Sequence, residues 1–110
     1  MIESHKNEKL ESLIHHLAAD FIEKSSSRTS MITVTRVSLS RNKKYATIFF
    51  TVFPEDKEGL AVEFVQRNVG EFRDFVEKNS RIGRLPFFKF ELDLGEKNRQ
   101  RMDELSRGEI

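Results

Sequence analysis

Tyr45-Ala46-Thr47-Ile48-Phe49-Phe50-Thr51-Val52-Phe53-Pro54 is the stretch on which the fold turns. Ala46, Ile48, Phe50 and Val52 alternate with Tyr45, Thr47, Phe49, Thr51 and Phe53. That period of two fits a strand and not a helix. Bulk on both faces predicts a strand covered by helices on one side and partly exposed on the other. Pro54 ends it, since proline has no N–H to give to a ladder.

Working outward, the preceding run Met31 to Leu39 is rich in β-branched residues, with Thr33, Thr35 and Val37 alternating against Ile32 and Val34. It predicts a second strand. Ser40-Arg41-Asn42-Lys43-Lys44 between the two runs is polar and of hairpin length. Upstream, Leu10, Leu13, Ile14, Leu17, Ala18, Phe21 and Ile22 recur at spacings of three and four. They form the apolar stripe of a helix that should end near Ser25-Ser26-Ser27. His15 and His16 are adjacent, so they diverge on that helix and cannot form an i, i+4 metal pair; no metal site is expected.

Downstream of Pro54, Glu55, Asp56 and Glu58 suit the first turn of a helix, where the macrodipole favours negative charge. Leu60, Ala61, Phe64, Val65 and Val69 give one helical stripe, and Phe72, Phe75 and Val76 give another. Gly70 lies between them, so two helices should meet at Asn68-Val69-Gly70. Asn68 is expected to cap the second one. Asn79 to Leu85 reads as a loop, and Pro86 opens a third strand, Phe87 to Leu92, with Phe88, Phe90 and Leu92 on one face. The order is α-β-β-α-α-β. We expect one domain over residues 1–94 and a tail over 95–110 that is a short helix or mobile. The core should join Ile48, Phe50, Phe88 and Phe90 to Leu13, Leu17 and Phe64.

The chain has 110 residues, 37% hydrophobic and 34% charged, which suits one domain with a modest core and a heavily charged surface. Cysteine is absent, which excludes disulfides, thiolate metal sites and a cysteine nucleophile. A cytoplasmic location is the expectation. Met1 to Lys6 shows no apolar stretch behind a basic start, so no signal peptide is expected, and no run is long enough to span a membrane. The net charge of +1 is uninformative, but its distribution is not. Arg28, Arg36, Arg41, Lys43 and Lys44 fall in a segment from Arg28 to Pro54 without an acid. Lys78, Arg81, Arg84 and Lys89 fall in another, from Lys78 to Lys89. Two such segments can build one positive face.

Catalysis finds little support. There is no GxxxxGK[ST] phosphate loop and no GxGxxG fingerprint. Glu91 and Asp93 share a strand face, and a lone acidic pair at a strand edge is the feature of a solvated edge more than of a hydrolase. No catalytic residue, metal or cofactor is expected.

The α-β-β-α-α-β order resembles a type II KH domain, an α+β fold with a three-stranded mixed sheet and helices on one face. Within that class the chain resembles the ribosome-binding factor A family. The resemblance rests on Val34-Thr35-Arg36-Val37-Ser38-Leu39-Ser40-Arg41-Asn42, on Tyr45-Ala46-Thr47-Ile48-Phe49-Phe50, on Asn68-Val69-Gly70-Glu71-Phe72-Arg73, and on Arg81 through Pro86 to Phe90 and Asp93. It runs from about Leu10 to Met102. Asn68 stands where the family has Ala, Asn42 where it has an acid, and Gly83 where it often has Arg. The resemblance implies a non-catalytic, monomeric factor that binds the immature small (30S) ribosomal subunit and its 16S rRNA. It further implies a part in late 16S rRNA processing and cold adaptation, and release helped by a GTPase. The residues expected to meet RNA are Arg41, Lys43, Lys44, Arg67, Asn68, Gly70, Arg73, Lys78, Arg81 and Arg84. The alternative is a protein-interaction module anchored on Tyr45, Phe49 and Phe53 of one sheet face.

Overall fold

The computed structural model describes residues 2–25 and 31–108. Helix α1 (Ile2–Ser25) leads into strands β1 (Met31–Leu39) and β2 (Tyr45–Phe53). A 3-10 turn (Glu55–Lys57) follows, then helices α2 (Glu58–Arg67) and α3 (Val69–Asn79), strand β3 (Phe87–Leu92) and helix α4 (Leu94–Gly108). The three strands start and stop where the sequence pattern places them. Ser26, Ser27 and Arg28 lie outside the described residues.

The sheet has the order β1-β2-β3. β1 and β2 pair antiparallel through the hairpin, and β3 pairs with β2 parallel, from Tyr45↔Phe87 to Phe50↔Leu92. A parallel neighbour needs a crossover, and α2 and α3 supply it. The inward side chains Ala46, Ile48 and Phe50 of β2 and Phe88 and Phe90 of β3 are buried. They meet Ile14, Leu17, Ala18, Phe21 and Ile22 of α1, whose i, i+3, i+4, i+7, i+8 spacing lines one helix face. Phe72 pins α3 to this core: its ring stands edge-on to Phe88 at 4.9 Å and Phe90 at 5.5 Å, and tilted to Phe21 at 5.4 Å.

Two details depart from the simple patterns. Leu13 is 38% exposed. It sits one residue, about 100° of helix, before the fully buried Ile14, so it lies on the flank of the stripe and not in the core. Phe64 is half-buried and packs against the core from its edge. The strict alternation read in β1 also fails. A register shift between Val34 and Arg36 makes Thr35 the extra residue of a β-bulge. Val34 and Val37, three apart, therefore both point inward and are buried.

The bulge has a partner in Asp93. Thr35 Oγ1 donates to its carboxylate at 2.6 Å and Arg36 Nε at 3.3 Å. The other carboxylate oxygen accepts the Glu96 N–H at 3.0 Å, so Asp93 is the N-cap of α4. This aspartate is 6% exposed, and its surface-edge reading from sequence does not hold. The Thr35 hydroxyl, then the Glu96 N–H, hold its carboxyl below the ordinary value of 3.8 against the opposing effect of burial. Lys97 anchors α4 further, with Nζ 3.1 Å from Glu55 and 3.0 Å from Glu58, and Arg101 also pairs with Glu55.

Phe50→Ala should lower stability by about 3–5 kcal/mol in chemical denaturation, because the ring is fully buried. A loss under about 1 kcal/mol would place Phe50 outside the core. Asp93→Ala should cost at least about 1 kcal/mol at neutral pH. The folded carboxyl titrates below its unfolded value. Its contribution is therefore full above pH 3.8 and is lost as pH falls through the depressed folded value. The stability gap between wild type and Asp93→Ala should accordingly narrow in acid, as urea melts across that range would show.

Candidate nucleic-acid interface

The β1–β2 hairpin is organised from within. Ser40 N–H donates to the Tyr45 carbonyl at 2.9 Å, and Lys43 N–H to the Ser40 carbonyl at 3.0 Å. Asn42 Oδ1 accepts both the Ser40 hydroxyl at 2.7 Å and the Lys44 N–H at 3.0 Å. An acid at position 42 would accept the same two donors, so the amide keeps the turn while removing a negative charge from it. Lys43 takes the left-handed position, with φ 61°. Glycine or asparagine would adopt that conformation at less cost. The consequence of a lysine here is a cation at the tip, and Arg41, Lys43 and Lys44 are all exposed.

The second basic segment arrives at this hairpin through the sheet. Phe87 N–H donates to the Lys44 carbonyl at 2.7 Å, which makes the end of the 80–86 loop a neighbour of the hairpin. Arg84, three residues before Phe87, is exposed and lies within about 10 Å of it along the chain. Arg73, on α3, closes the arrangement from the helical side. Its Nη1 donates to the Pro86 carbonyl at 2.8 Å, and its guanidinium lies 5.8 Å from the Phe87 ring centroid. Lys44, Arg73 and Arg84 thus gather at the end of the sheet where β2 and β3 begin.

Gly70 is one helical turn before Arg73, on the same face of α3. It is exposed and does not have positive φ, and a Cβ built there meets nothing within 4 Å. Its backbone would therefore accept a side chain without strain, and the space above it is open. The first N–H groups of α3 have no acceptor within that helix, but Glu71 sits exposed in the same turn. Asn68 is corrected as well. It occupies the junction, yet its side chain makes no bond to α3. Its Nδ2 donates backward to the Phe64 carbonyl at 2.7 Å, satisfying the end of α2. Its backbone φ of −103° and ψ of 14° produce the bend.

Arg67 ends α2, Lys78 lies in the last turn of α3, and Arg81 lies in the following loop; all three are exposed. Among the described residues no group of three or more His, Asp or Glu side chains could hold a metal, and no helix is long and apolar enough to cross a membrane. The aromatic anchor considered from sequence does not form one patch. Phe49 is half-buried with the Arg36 guanidinium 3.7 Å above its ring. Tyr45 and Phe53, both exposed, are eight residues or about 26 Å apart along β2. Phe87, which the sequence reading did not single out, is 65% exposed. Its position opposite in parity to buried Phe88 and Phe90 was the available signal.

A family model described as ribosome-binding factor A matches residues 6–106. The chain belongs to the ribosome-binding factor A family. A ribosome-binding factor A from Thermosipho africanus is 30% identical over 107 residues, covering 92% of this chain and 85% of the relative. Other relatives match over a shorter segment, down to 53% of their own length. The fold agrees with the crystal structure of ribosome-binding factor A from Thermus thermophilus, at a TM-score of 0.68 and 20% identity, over 78% of this chain and 93% of that one. It also agrees with a homology model of the Thermus thermophilus protein as fitted into a cryo-EM map of a 30S–RbfA complex, at a TM-score of 0.66 and 21% identity, over 76% and 90% of the two chains.

Two substitutions separate the roles at the junction. Gly70→Ala should raise stability by about 0.4–1 kcal/mol, since nothing in the fold requires the glycine. Asn68→Ala should cost about 0.5–1.5 kcal/mol through the lost bond to Phe64. Denaturant melts of the two proteins should show these opposite signs.

Proposed function

We propose that this chain binds the immature small ribosomal subunit through its 16S rRNA and assists late 16S maturation without catalysing a reaction. The observation that carries the reading is the meeting of the hairpin, Arg73 and the β3 entry at one end of the sheet, through the Phe87–Lys44 and Arg73–Pro86 bonds. Family membership supports it, as does the 30S–RbfA complex described for the Thermus relative. Arg41, Lys43, Lys44, Arg73 and Arg84 neutralise phosphates at this end, and Arg67, Lys78 and Arg81 extend the positive face. Gly70 leaves room for the RNA backbone to approach, and Asn68 sets the bend that presents it. The protein works as a monomer in the cytoplasm, needs no cofactor, and leaves the subunit when maturation finishes, helped by a GTPase.

The mechanism is electrostatic positioning. Each phosphate contact releases condensed counterions, so affinity should fall steeply with salt. Co-sedimentation with small subunits from a maturation-deficient strain tests this directly. Wild type should pellet with the subunits at low salt and be released as salt rises. Lys43→Gln, Lys44→Gln and Arg73→Gln should each lower the slope of log affinity against log salt by about 0.7–0.9. A wild-type protein that stays in the supernatant at low salt would refute the reading.

A further inference from the structure

Two aromatic rings at the basic end of the sheet have no cover. Tyr45 is 57% exposed and Phe87 65% exposed. They are register partners in the parallel pair, and both point away from the helices, because Ala46 and Phe88 beside them are buried. Their ring centroids are 5.8 Å apart and their planes differ by 33°, so they form one shallow, nearly continuous surface. The Arg73 guanidinium stands 5.8 Å from the Phe87 ring centroid. Lys44 and Arg84 flank the pair in sequence and are exposed. Further along the same face of β3, Glu91 is held by Lys89 at 2.7 Å, so that acid is neutralised.

We propose that Tyr45 and Phe87 are a stacking platform for unpaired RNA bases, with Lys44, Arg73 and Arg84 receiving the phosphates on either side. The proposal rests on the rRNA-binding reading and adds what the site recognises: single-stranded nucleotides and not the backbone of a duplex. Charge complementarity favours this occupant. A protein interface places its aromatic anchors in a charge-depleted centre, whereas here the cations adjoin the rings. Unpaired RNA offers the matching pattern, a flat apolar base on every nucleotide and a negative phosphate between successive ones. The site reads no base identity, since every base has a π face.

The chain supplies its own reporter, because Tyr45 is its one tyrosine and it has no tryptophan. Titration with a short oligoadenylate should quench the Tyr45 fluorescence saturably. An abasic ribose-phosphate oligomer of the same length should bind more weakly and leave the emission unchanged. Phe87→Ala and Tyr45→Ala should each weaken oligoadenylate binding by about 5- to 150-fold. Their salt slopes should match wild type, because neither removes a cation. Tyr45→Phe should bind as wild type, and thermal melts should be little changed, since both rings are exposed. The proposal is overturned if folded Phe87→Ala and Tyr45→Ala bind oligoadenylate like wild type, or if the abasic oligomer competes equally. It is also overturned if both variants lose subunit binding while oligoadenylate never quenches Tyr45, which would assign the rings to a protein contact. Wild type that quenches with oligoadenylate but fails to sediment with subunits would sink the ribosomal reading and leave the platform standing.

Discussion

Phe87 donates its N–H to the Lys44 carbonyl at 2.7 Å, and with that bond the parallel ladder between β2 and β3 begins. Its register then sets Ala46 beside Phe88 and Ile48 beside Phe90, which assembles the inner face of the sheet. It also brings the 80–86 loop against the hairpin. A shift by one residue would turn Phe88 and Phe90 to solvent and Phe87 and Lys89 inward. Core and basic surface are therefore not independent features of this chain. The same pairing produces both, and Phe72 on the crossover helix holds it by packing on Phe88 and Phe90.

The strands were legible because their periodicity is strong and their ends carry turn chemistry or proline. The helix junction was legible because Gly70 interrupts two stripes of different phase. Three features escaped the pattern, each because it turns on a side-chain hydrogen bond that periodicity does not encode. The bulge at Thr35 depends on Asp93, 58 residues away. The cap by Asp93 depends on α4, whose stripe of Met102 and Leu105 gave little sign of where its helix starts. At Asn68 the residue type correctly implied a cap, but whether an asparagine turns forward to the next helix or back to the last one is a matter of rotamer and local backbone. Here the amide finds the Phe64 carbonyl. Leu13 escaped for a smaller reason: a stripe of seven apolar residues is wider than the face that meets the sheet.

The charged residues divide into those with internal work and those without it. Arg36 is committed to Asp93 and to the Phe49 ring, Lys97 to Glu55 and Glu58, and Lys89 to Glu91. Arg73 is intermediate, since one guanidinium nitrogen holds the Pro86 carbonyl while the group still stands over the Phe87 ring, 5.8 Å from its centroid. The sequence could mark the acid-free segments but not this division. Arg36 belongs to one of them and is nonetheless a structural residue, buttressing the bulge. The cations of the hairpin tip belong to a turn whose hydrogen bonds are made by Ser40 and Asn42, which leaves the lysine side chains available to a phosphate.

We propose a direction for binding: the end of the sheet carrying Lys43 and the β3 entry faces rRNA, and the opposite end, where Met31 pairs with Phe53, does not. The absence of cysteine makes this directly measurable, because any introduced thiol is unique. Lys43→Cys and Met31→Cys, each carrying a tethered iron chelate, can be bound to immature small subunits and hydroxyl-radical cleavage of 16S rRNA mapped. Strong, localised cleavage is expected from position 43 and little from position 31. Cleavage of comparable strength from position 31, with none from position 43, would contradict it.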